Sequence, residues 1–391
     1  MENLLSHEAE YVLVTDNDAL NNLCQLWQSL SHLAIDTEFM RVDTFYPKVA
    51  LLQINDGEGN YLIDPLLISD WKLFSALMLK PEITKIFHSC SEDLLVFIHH
   101  FALLPSPIFD TQIANAFLNQ GFGLSYQNLI AEQMGIDVPK AETRSDWLQR
   151  PLSDEQLHYA ALDVAFLPEI YARQVEALQA MGRLEWVKED CQRLLGNYKD
   201  EIEQDFSQAY LNISAAWQLD ARQLGILKAL ASWREQRARQ RNKPRNWIVR
   251  DKELMNIAKY HPANMTDLSN IDGLHANFIN YEGAAVLEIV QQVLNLHETA
   301  LPERIARPLS GAQKKHFRKA QQFVEQKAEE LHLPVEVLGR KRTLMQMFQD
   351  ILNLSANPGQ KAISLSDLQL PSELQGWRRD ILVPGLLELM Q

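Results

Sequence analysis

The second half of the chain contains an internal repeat with an offset of 90 residues. Eight of the 33 positions from 223 to 255 carry the same residue 90 positions later, including Gln223 with Gln313 and Pro244 with Pro334. Apolar residues recur at helical intervals in both copies. A period this long in only two copies does not indicate a solenoid. The repeat therefore predicts two small helical-bundle domains, over residues 213–297 and 303–391.

Residues 1–205 alternate strand-like and helix-like runs, which is typical of an α/β domain with a mixed sheet. An Asp-Gly-Glu-Gly turn at 56–59 lies between two apolar runs and predicts a hairpin. The expected strands are Tyr11–Thr15, Leu33–Thr37, Val49–Ile54, Asn60–Asp64 and Lys85–His88. The expected helices are 70–80, Ser91–Phe101, Thr111–Asn119 and one long helix from Ser153, as its N-cap, to about Gln179.

Composition excludes several classes of protein. The 391 residues include three cysteines, far apart in sequence, which offer neither a disulfide framework nor a CxxC metal pair. No secretory signal and no apolar run of about 18 residues is present, so we expect a cytoplasmic protein without a membrane span. A P-loop is absent, and no glycine-rich dinucleotide motif follows a strand.

Charge is divided unevenly along the chain. The formal net charge of −14 is typical of a protein that does not bind nucleic acid. Residues 1–205 hold 13 basic and 32 acidic residues (−19), whereas residues 206–391 hold 24 and 19 (+5). Arg234–Arg250 contains seven basic residues and one acid, and Arg304–Lys319 contains six basic residues and no acid. Each run alone fits a solvated helix face, but two runs, one in each copy of the repeat, indicate an anionic partner.

Carboxylates follow the expected strands of the first half. Asp36 and Glu38 lie two apart on one strand and therefore share a face. Two carboxylates that converge in a partly dry site repel each other, and a bound Mg²⁺ or Mn²⁺ would relieve this. An exposed strand end with two solvated acids gives the same pattern. Asp93 near a helix start and the pair Tyr159 and Asp163, at i and i+4 on a helix, complete the set.

Taken together, this order of residues resembles the DEDD superfamily of 3′→5′ exonucleases, in its tyrosine subclass. Three segments are similar to motifs of the ribonuclease D family within this superfamily. They are DTEFMRVDTFYPKVALLQI, FHSCSEDL and SDWLQRPLSDEQLHYAALDVAFLPEIY. The helical repeats resemble HRDC domains, a class of nucleic-acid-binding module. The resemblance covers nearly the whole chain and implies a ribonuclease H-like mixed sheet over residues 1–205.

The resemblance also implies a chemistry. It assigns Asp36, Glu38, Asp93, Tyr159 and Asp163 as catalytic residues and the four carboxylates among them as ligands of two divalent ions, Mg²⁺ or Mn²⁺. Asp36, Glu38 and Asp163 would hold the ion that serves the attacking water. Asp36 and Asp93 would hold the second ion, beside the leaving 3′-oxygen. Tyr159 would orient the water, and nucleoside 5′-monophosphates would be released from a 3′ end.

Two further groups are candidate substrate contacts. Near the motifs, Phe39, Gln53, His88 and Trp147 are candidates for contact with the terminal nucleotide, with core packing as the preferred interpretation for each. In the first repeat, Arg239, Arg241, Lys243 and Arg245 are expected to contact phosphates.

These features predict a monomeric 3′→5′ exoribonuclease, without an obligate protein partner, whose repeats grip structured RNA. The expected substrates are tRNA precursors with 3′ extensions. A DNA 3′→5′ exonuclease with the same carboxylates is one alternative, since the metal chemistry ignores the 2′-hydroxyl. A non-catalytic RNA-binding adaptor on the same fold is the other.

Overall fold

The computed structural model describes residues 9–138, 145–355 and 367–390. The chain forms two compact units. The first consists of the described parts of Met1–Met40, Pro47–Asn197 and Ser310–Gln391, and the second of Arg41–Tyr46 and Tyr198–Leu309. Each predicted helical domain thus lies in a different unit, and the second one shares a unit with most of the α/β domain.

A mixed sheet of six strands, counted over the described residues, forms the centre of the α/β domain. Its strands run in the order β1-β4-β3-β2-β5-β6. β3 is antiparallel to β2 and β4, and the other neighbouring strands are parallel. The strands are β1 (Tyr11–Val14), β2 (His32–Met40), β3 (Lys48–Asn55), β4 (Asn60–Ile63), β5 (Thr84–Phe87) and β6 (Ile108–Asp110).

Helices cover this sheet. They are α1 (Asn17–Trp27), α2 (Lys72–Met78), α3 (Ser91–Val96), which continues as a π-helical turn at Phe97–Phe101, α4 (Thr111–Phe117), α5 (Tyr126–Met134), α6 (Asp154–Ala165), α7 (Leu167–Ala180) and α8 (Leu184–Gly196). The expected mixed α/β architecture and the hairpin at residues 56–59 are confirmed.

The structure differs from the expected elements in several places, and helices α1, α5 and α8 were not among the predicted helices. Strand β6 was not predicted, because three residues are too few to show an alternating pattern. The single helix expected from Ser153 to Gln179 is wrong. It is two helices, α6 and α7, which meet at Phe166. Pro168 lies in the first turn of α7, where its missing N–H costs nothing but where it cannot continue α6.

The second unit contains the first repeat. Its helices are α9 (Lys199–Glu203), α10 (Ala221–Arg241), α11 (Arg245–Ile248), α12 (Asp251–Tyr260), α13 (Met265–Ser269) and α14 (Ala276–Leu294), with short 3₁₀ turns at Ala209–Asn212, Ala216–Gln218 and Glu298–Ala300. Leucine, isoleucine and valine side chains of α10, α12 and α14 form its core. The loop Arg41–Tyr46 belongs to this unit, because the side-chain oxygen of Asn242 accepts hydrogen bonds from the backbone N–H groups of Phe45 and Tyr46.

The second repeat lies in the first unit. Its helices are α15 (Gly311–Leu331), α16 (Val335–Leu338), α17 (Lys341–Ser355) and α18 (Trp377–Met390), with a 3₁₀ turn at Ser372–Leu374. It is joined to α8 by a buried bidentate pair between Arg378 and Asp190. The rings of Trp377 and Trp186 stack beside this pair, with centroids 4.5 Å apart.

The helices of the two copies have matching bounds, which confirms the repeat. Helices α10 and α15 both contain 21 residues and begin 90 positions apart. Each begins with a capping box, Asp220 with Gln223 and Ser310 with Gln313. Each ends at a residue in the left-handed conformation, followed two residues later by a proline that begins a four-residue helix.

Candidate active site

Strand β2 presents the first two carboxylates near the middle of the sheet. Its pairing with β5 ends at Ala34, and the segment with Asp36 and Glu38 is paired with β3. A register shift at Glu38 and Phe39 marks a bulge, which turns the strand at this point. Both carboxylates therefore lie beyond the end of the parallel neighbour, where space is open for side chains from other elements.

Helix α3 brings Asp93 to the same edge of the sheet. The helix follows β5 directly, and the carboxyl ends of the parallel strands β2 and β5 face this edge. Asp93 is 7 % exposed, and its Oδ1 accepts a 2.5 Å hydrogen bond from the hydroxyl of Thr37. Thr37, which lies between Asp36 and Glu38 in sequence, thus fixes the position of the Asp93 carboxylate.

Asp110, at the end of β6, fixes the start of α3. Its carboxylate accepts hydrogen bonds from the backbone N–H groups of Ser89 and Cys90, at 3.1 and 2.9 Å, and also caps α4. Ser89 has a φ of 61°, in the left-handed region, so the turn needs such support. Sequence reasoning missed both Thr37 and Asp110. The only signal for Asp110 was its position directly before a predicted helix, as an N-cap.

Helix α6 supplies the other two residues. The predicted capping box of Ser153 and Gln156 is present at its start. Tyr159 and Asp163 lie one turn apart on the same face of the helix, and each shifts the pKa of the other. Trp147, which is 3 % exposed, packs with its ring 6.0 Å from that of Tyr159. The helix rests on β3 and β4 through Ala160, Ala161 and neighbouring apolar residues.

Three of the carboxylates form a cluster that can hold a metal ion. Asp36, Glu38 and Asp163 each offer an oxygen, and these atoms lie within 4.8 Å of one another. In the parts of the chain that the structure describes, none of these three residues, nor Asp93, forms an ion pair with a basic side chain. The negative charge of the cluster is therefore uncompensated by the protein.

The pKa values of the cluster show the cost of this arrangement. Burial, together with Asp93, Asp163 and Glu38, raises the pKa of Asp36 well above its usual value. Burial and the neighbouring aspartates raise the pKa of Glu38 to about 9. Burial likewise raises the pKa of Asp163 to about 7 and that of Asp93 to about 6, against the lowering effects of the Tyr159 and Thr37 hydrogen bonds. A divalent cation would reverse these shifts by compensating the charge.

Tyr159 is held in its neutral form. Burial raises its pKa, and the carboxylates Asp163 and Glu38 raise the pKa further, because a phenolate beside them would add to the negative charge. With no added metal, Tyr159 is thus a hydrogen-bond donor and not a base.

The candidate substrate contacts near the motifs occupy different surroundings. Gln53 lies directly opposite Asp36 on β3, is fully buried, and has no hydrogen-bond partner for either amide atom within the described chain. Both ring nitrogens of His88 are hydrogen-bonded, to Thr111 and to the carbonyl of Leu124. Phe39 is half-buried at the bulge of β2.

The four basic residues proposed for phosphate contact lie at the end of α10 and the start of α11. Arg239 is largely buried, its guanidinium pairs with Glu201 and Glu235 at 2.5 Å each, and it lies 3.9 Å from the centre of the Phe206 ring. The other three are about 40–50 % exposed, and each has a carboxylate partner: Arg241 with Glu282, Lys243 with Asp43 and Arg245 with Glu235. None of the four lies in the unit that carries the carboxylate cluster.

Comparisons with known proteins agree with this geometry. Residues 11–179 match the 3′-5′ exonuclease family and residues 223–290 match the HRDC domain family. Ribonuclease D of Pseudomonas paraeruginosa is 37 % identical over 378 residues, which are 97 % of each chain. Ribonuclease D of Escherichia coli is 34 % identical over 97 % of this chain and 98 % of its own.

A solved structure extends the likeness to the fold of the whole chain. The crystal structure of Escherichia coli RNase D, described as an exoribonuclease involved in structured RNA processing, superposes with a TM-score of 0.86 at 33 % identity. It covers 98 % of this chain and 99 % of its own. Near-complete coverage at this identity includes the α/β domain and both repeats. The chain therefore belongs to the ribonuclease D family of 3′→5′ exoribonucleases.

Proposed function

We propose that this chain removes nucleoside 5′-monophosphates from the 3′ ends of RNA with the aid of two divalent metal ions, and that tailed tRNA precursors are among its substrates. The observation that carries the proposal is the cluster of Asp36, Glu38 and Asp163, with Asp93 nearby and no basic partner for any of them in the described chain. A partly buried group of like charges is costly unless a cation binds to it.

The donor set fits Mg²⁺ or Mn²⁺. All of the donors are carboxylate oxygens, which hard divalent ions prefer, and no thiol or imidazole belongs to the cluster. Asp36, Glu38 and Asp163 would hold one ion, and Asp36 with Asp93 a second. Bound there, the ions would acidify the attacking water and offset charge on the departing 3′-oxygen.

The chain's own residues would then position the reactants. Tyr159, as a neutral donor fixed by Asp163 and by Trp147, would orient the attacking water. The buried amide of Gln53 would find a hydrogen-bond partner in the bound substrate, since a buried amide left without one is unfavourable. Phe39, at the bulge beside Glu38, would pack against the terminal nucleotide. His88 would support the site through its existing hydrogen bonds.

The positively charged repeats would bind the body of the RNA. Arg241, Lys243 and Arg245 are exposed enough to exchange a carboxylate partner for a phosphate, whereas Arg239 would have to leave a buried network.

A cytoplasmic location is proposed because the three cysteines are free and buried, as suits a reducing compartment. No described helix has the length and apolar character of a membrane span. A monomer without an obligate partner protein stays a prediction.

A side-by-side assay tests this function. A tRNA with a 3′ tail, a short single-stranded RNA and a DNA of the same sequence are incubated with the full chain in Mg²⁺, Mn²⁺ or EDTA. The expected result is mononucleotide release from both RNAs in either metal and none in EDTA. Faster release from DNA would indicate the DNA exonuclease instead, and RNA binding without release in any metal would indicate the adaptor.

A further inference from the structure

Four basic side chains lie together on the first half of α15. Between Gly311 and Ala320 the helix has no acidic residue, and all four of its lysine and arginine side chains are exposed. They are Lys314, Lys315, Arg318 and Lys319. With 100° between successive residues, these positions span about 140° of the helix circumference and form one continuous face, which we call the α15 basic face.

The positive charges of this face lower the stability of helix α15. Lys314 and Arg318, like Lys315 and Lys319, are four residues apart, and like charges at this spacing destabilise a helix. The amino end of a helix favours anions, yet the cations lie there and the acids Glu325, Glu329 and Glu330 lie towards the other end. The charges are thus arranged against helix stability, which an anionic partner would explain.

The basic residues of the first repeat behave differently. All seven basic residues between Arg234 and Arg250 form an ion pair with a carboxylate of the chain. By contrast, no residue of the α15 basic face forms an ion pair or a side-chain hydrogen bond with any described residue, from 9–138, 145–355 or 367–390. The cations that can bind an external anion without first leaving a carboxylate partner are therefore those of the α15 basic face.

The face is fixed to the unit that contains the carboxylate cluster. The opposite side of α15 is buried through Phe317 and Val324, and α18 packs against it. The guanidinium of Arg183, which precedes α8, donates to the carbonyls of Leu331 and His332 at the end of α15. A polyanion on this face is thereby bound to the same compact unit as the candidate active site.

We infer that the α15 basic face binds the sugar–phosphate backbone of the RNA substrate, upstream of the 3′ end. The inference rests on the proposed function for the identity of the polyanion. A membrane surface fits less well, because the apolar side of α15 is buried and no large apolar residue accompanies the cations. Contacts of this kind are independent of sequence and sensitive to salt.

Binding in EDTA tests the inference without turnover. A fluorescein-labelled stem–loop RNA with a single-stranded 3′ tail is titrated with the full chain at several salt concentrations, and anisotropy gives the Kd. The test variant carries K314Q, K315Q, R318Q and K319Q. Its Kd should rise about tenfold or more at about 0.1 M salt, and the slope of log K against log salt should become shallower by about 3, from four contacts at about 0.7 each.

A matched variant controls for net charge. It removes the same four positive charges from lysines that are already paired with an acid, at K188Q, K199Q, K252Q and K327Q. It should bind RNA with close to the original Kd and slope. An unchanged Kd in the α15 variant, or an equal loss in both variants, would overturn the inference.

Two further measurements separate this inference from the proposed function. Thermal unfolding should show no loss of stability in the α15 variant, because its substitutions remove repulsion within the helix. Hydrolysis of a dinucleotide RNA in Mg²⁺ should be unchanged, since so short a substrate reaches only the carboxylate cluster. If the original chain releases no mononucleotide at all, the proposed function fails, while the RNA-binding comparison still decides the role of the face.

Discussion

The hydroxyl of Thr37 donates a 2.5 Å hydrogen bond to the carboxylate of Asp93. Thr37 lies between two candidate metal ligands in sequence, yet it acts on a third that follows another strand. A hydrogen bond of this kind orients a ligand and stabilises its charged form. Burial raises the pKa of Asp93 to about 6, and the Thr37 hydrogen bond works against that rise.

Replacing Thr37 with valine should lower activity through Asp93. The substitution keeps the shape of the side chain and removes the donor, so we expect metal-dependent activity to fall about 10- to 100-fold. The rate should recover at higher Mg²⁺ or at higher pH, because the Asp93 carboxyl then loses its proton more readily. Thr37→Ser keeps the hydroxyl and is the control. Metal and pH profiles of Thr37→Val that match those of the original chain would disprove this role.

Asp36→Ala and Asp163→Ala should each abolish mononucleotide release. Loss of a ligand from the cluster removes several kcal/mol of charge stabilisation, and 1.4 kcal/mol corresponds to about tenfold in rate, so we expect a loss of more than about a hundredfold. Asp154→Ala, at an exposed acid on the same helix α6, should retain activity. Quantified release of nucleotide from a 3′-tailed RNA is the measurement, and activity in either cluster variant contradicts the site.

Tyr159→Phe should reduce kcat while leaving RNA affinity and stability nearly unchanged. The phenyl ring keeps the contact with Trp147, and only the hydroxyl that meets Asp163 is lost. A positioned proton donor or acceptor contributes about 10²- to 10⁴-fold to a rate. Tyr126→Phe is the matched control, because that buried hydroxyl bonds to the backbone of Leu162 and Phe166. The control should lower the unfolding temperature more than it lowers kcat; the reverse order would refute the assignment.

The stability of the metal-free protein should fall as pH rises. The cluster carboxyls have usual pKa values of about 4, and in the folded chain these reach about 6 for Asp93, 7 for Asp163 and 9 for Glu38. The folded state therefore holds more protons than the unfolded state between about pH 4 and pH 9, and the free energy of unfolding decreases over that range. Added Mg²⁺ should restore stability at the alkaline end.

Asp36→Asn checks the cause of this pH dependence. It removes one charge from the cluster, so in EDTA near pH 8 we expect a gain of about 1 kcal/mol or more, one pKa unit being about 1.4 kcal/mol. The variant should also lose most of the stabilisation by Mg²⁺. Thermal unfolding over the pH range, with Asp154→Asn as control, measures both effects. A pH profile unchanged by Asp36→Asn would show that the cluster is not its source.

The pair between Arg378 and Asp190 should be important for stability. Both side chains are buried, and Arg378→Met leaves Asp190 with only its longer 3.2 Å pair to Arg193. We therefore expect a loss in unfolding free energy below the ~3–5 kcal/mol that is typical when a buried charge loses its single partner. Adding Asp190→Asn to it should recover part of that loss. Denaturant unfolding of the single and double variants gives the comparison, and a double variant less stable than Arg378→Met would contradict this explanation.

Local spacing was enough to predict two pairs of the candidate site, and the family resemblance joined them with Asp93. Asp36 and Glu38 share a strand face because side chains alternate with a period of two, and Tyr159 meets Asp163 because residues four apart face each other on a helix. The repeat was equally visible, since α10 and α15 keep the same length and caps. These features depend only on residues that are close in sequence or on direct comparison of two segments.

Contacts between distant segments were decided by the tertiary structure. The run from Arg234 to Arg250 is rich in basic residues. In the folded chain, the carboxylates of Asp43, Glu201 and Glu282 form ion pairs with several of them. The basic run of the second repeat, Arg304–Lys319, meets no such acid among the described residues, so its cations on α15 stay exposed. Spacing along the chain cannot reveal these pairs, because an ion pair depends on where the backbone brings two charges together.

The sequence by itself thus determined the identities and local spacing of the four carboxylates and the tyrosine on which the proposed chemistry rests. The tertiary structure decided how they are supported, with Thr37 holding Asp93 and Asp110 holding the turn before α3. It also decided which of the two basic runs is already paired with carboxylates of the chain. The physical reason is the same in each case: burial and pairing with remote partners set the effective charge of a side chain, and only the folded chain specifies those partners.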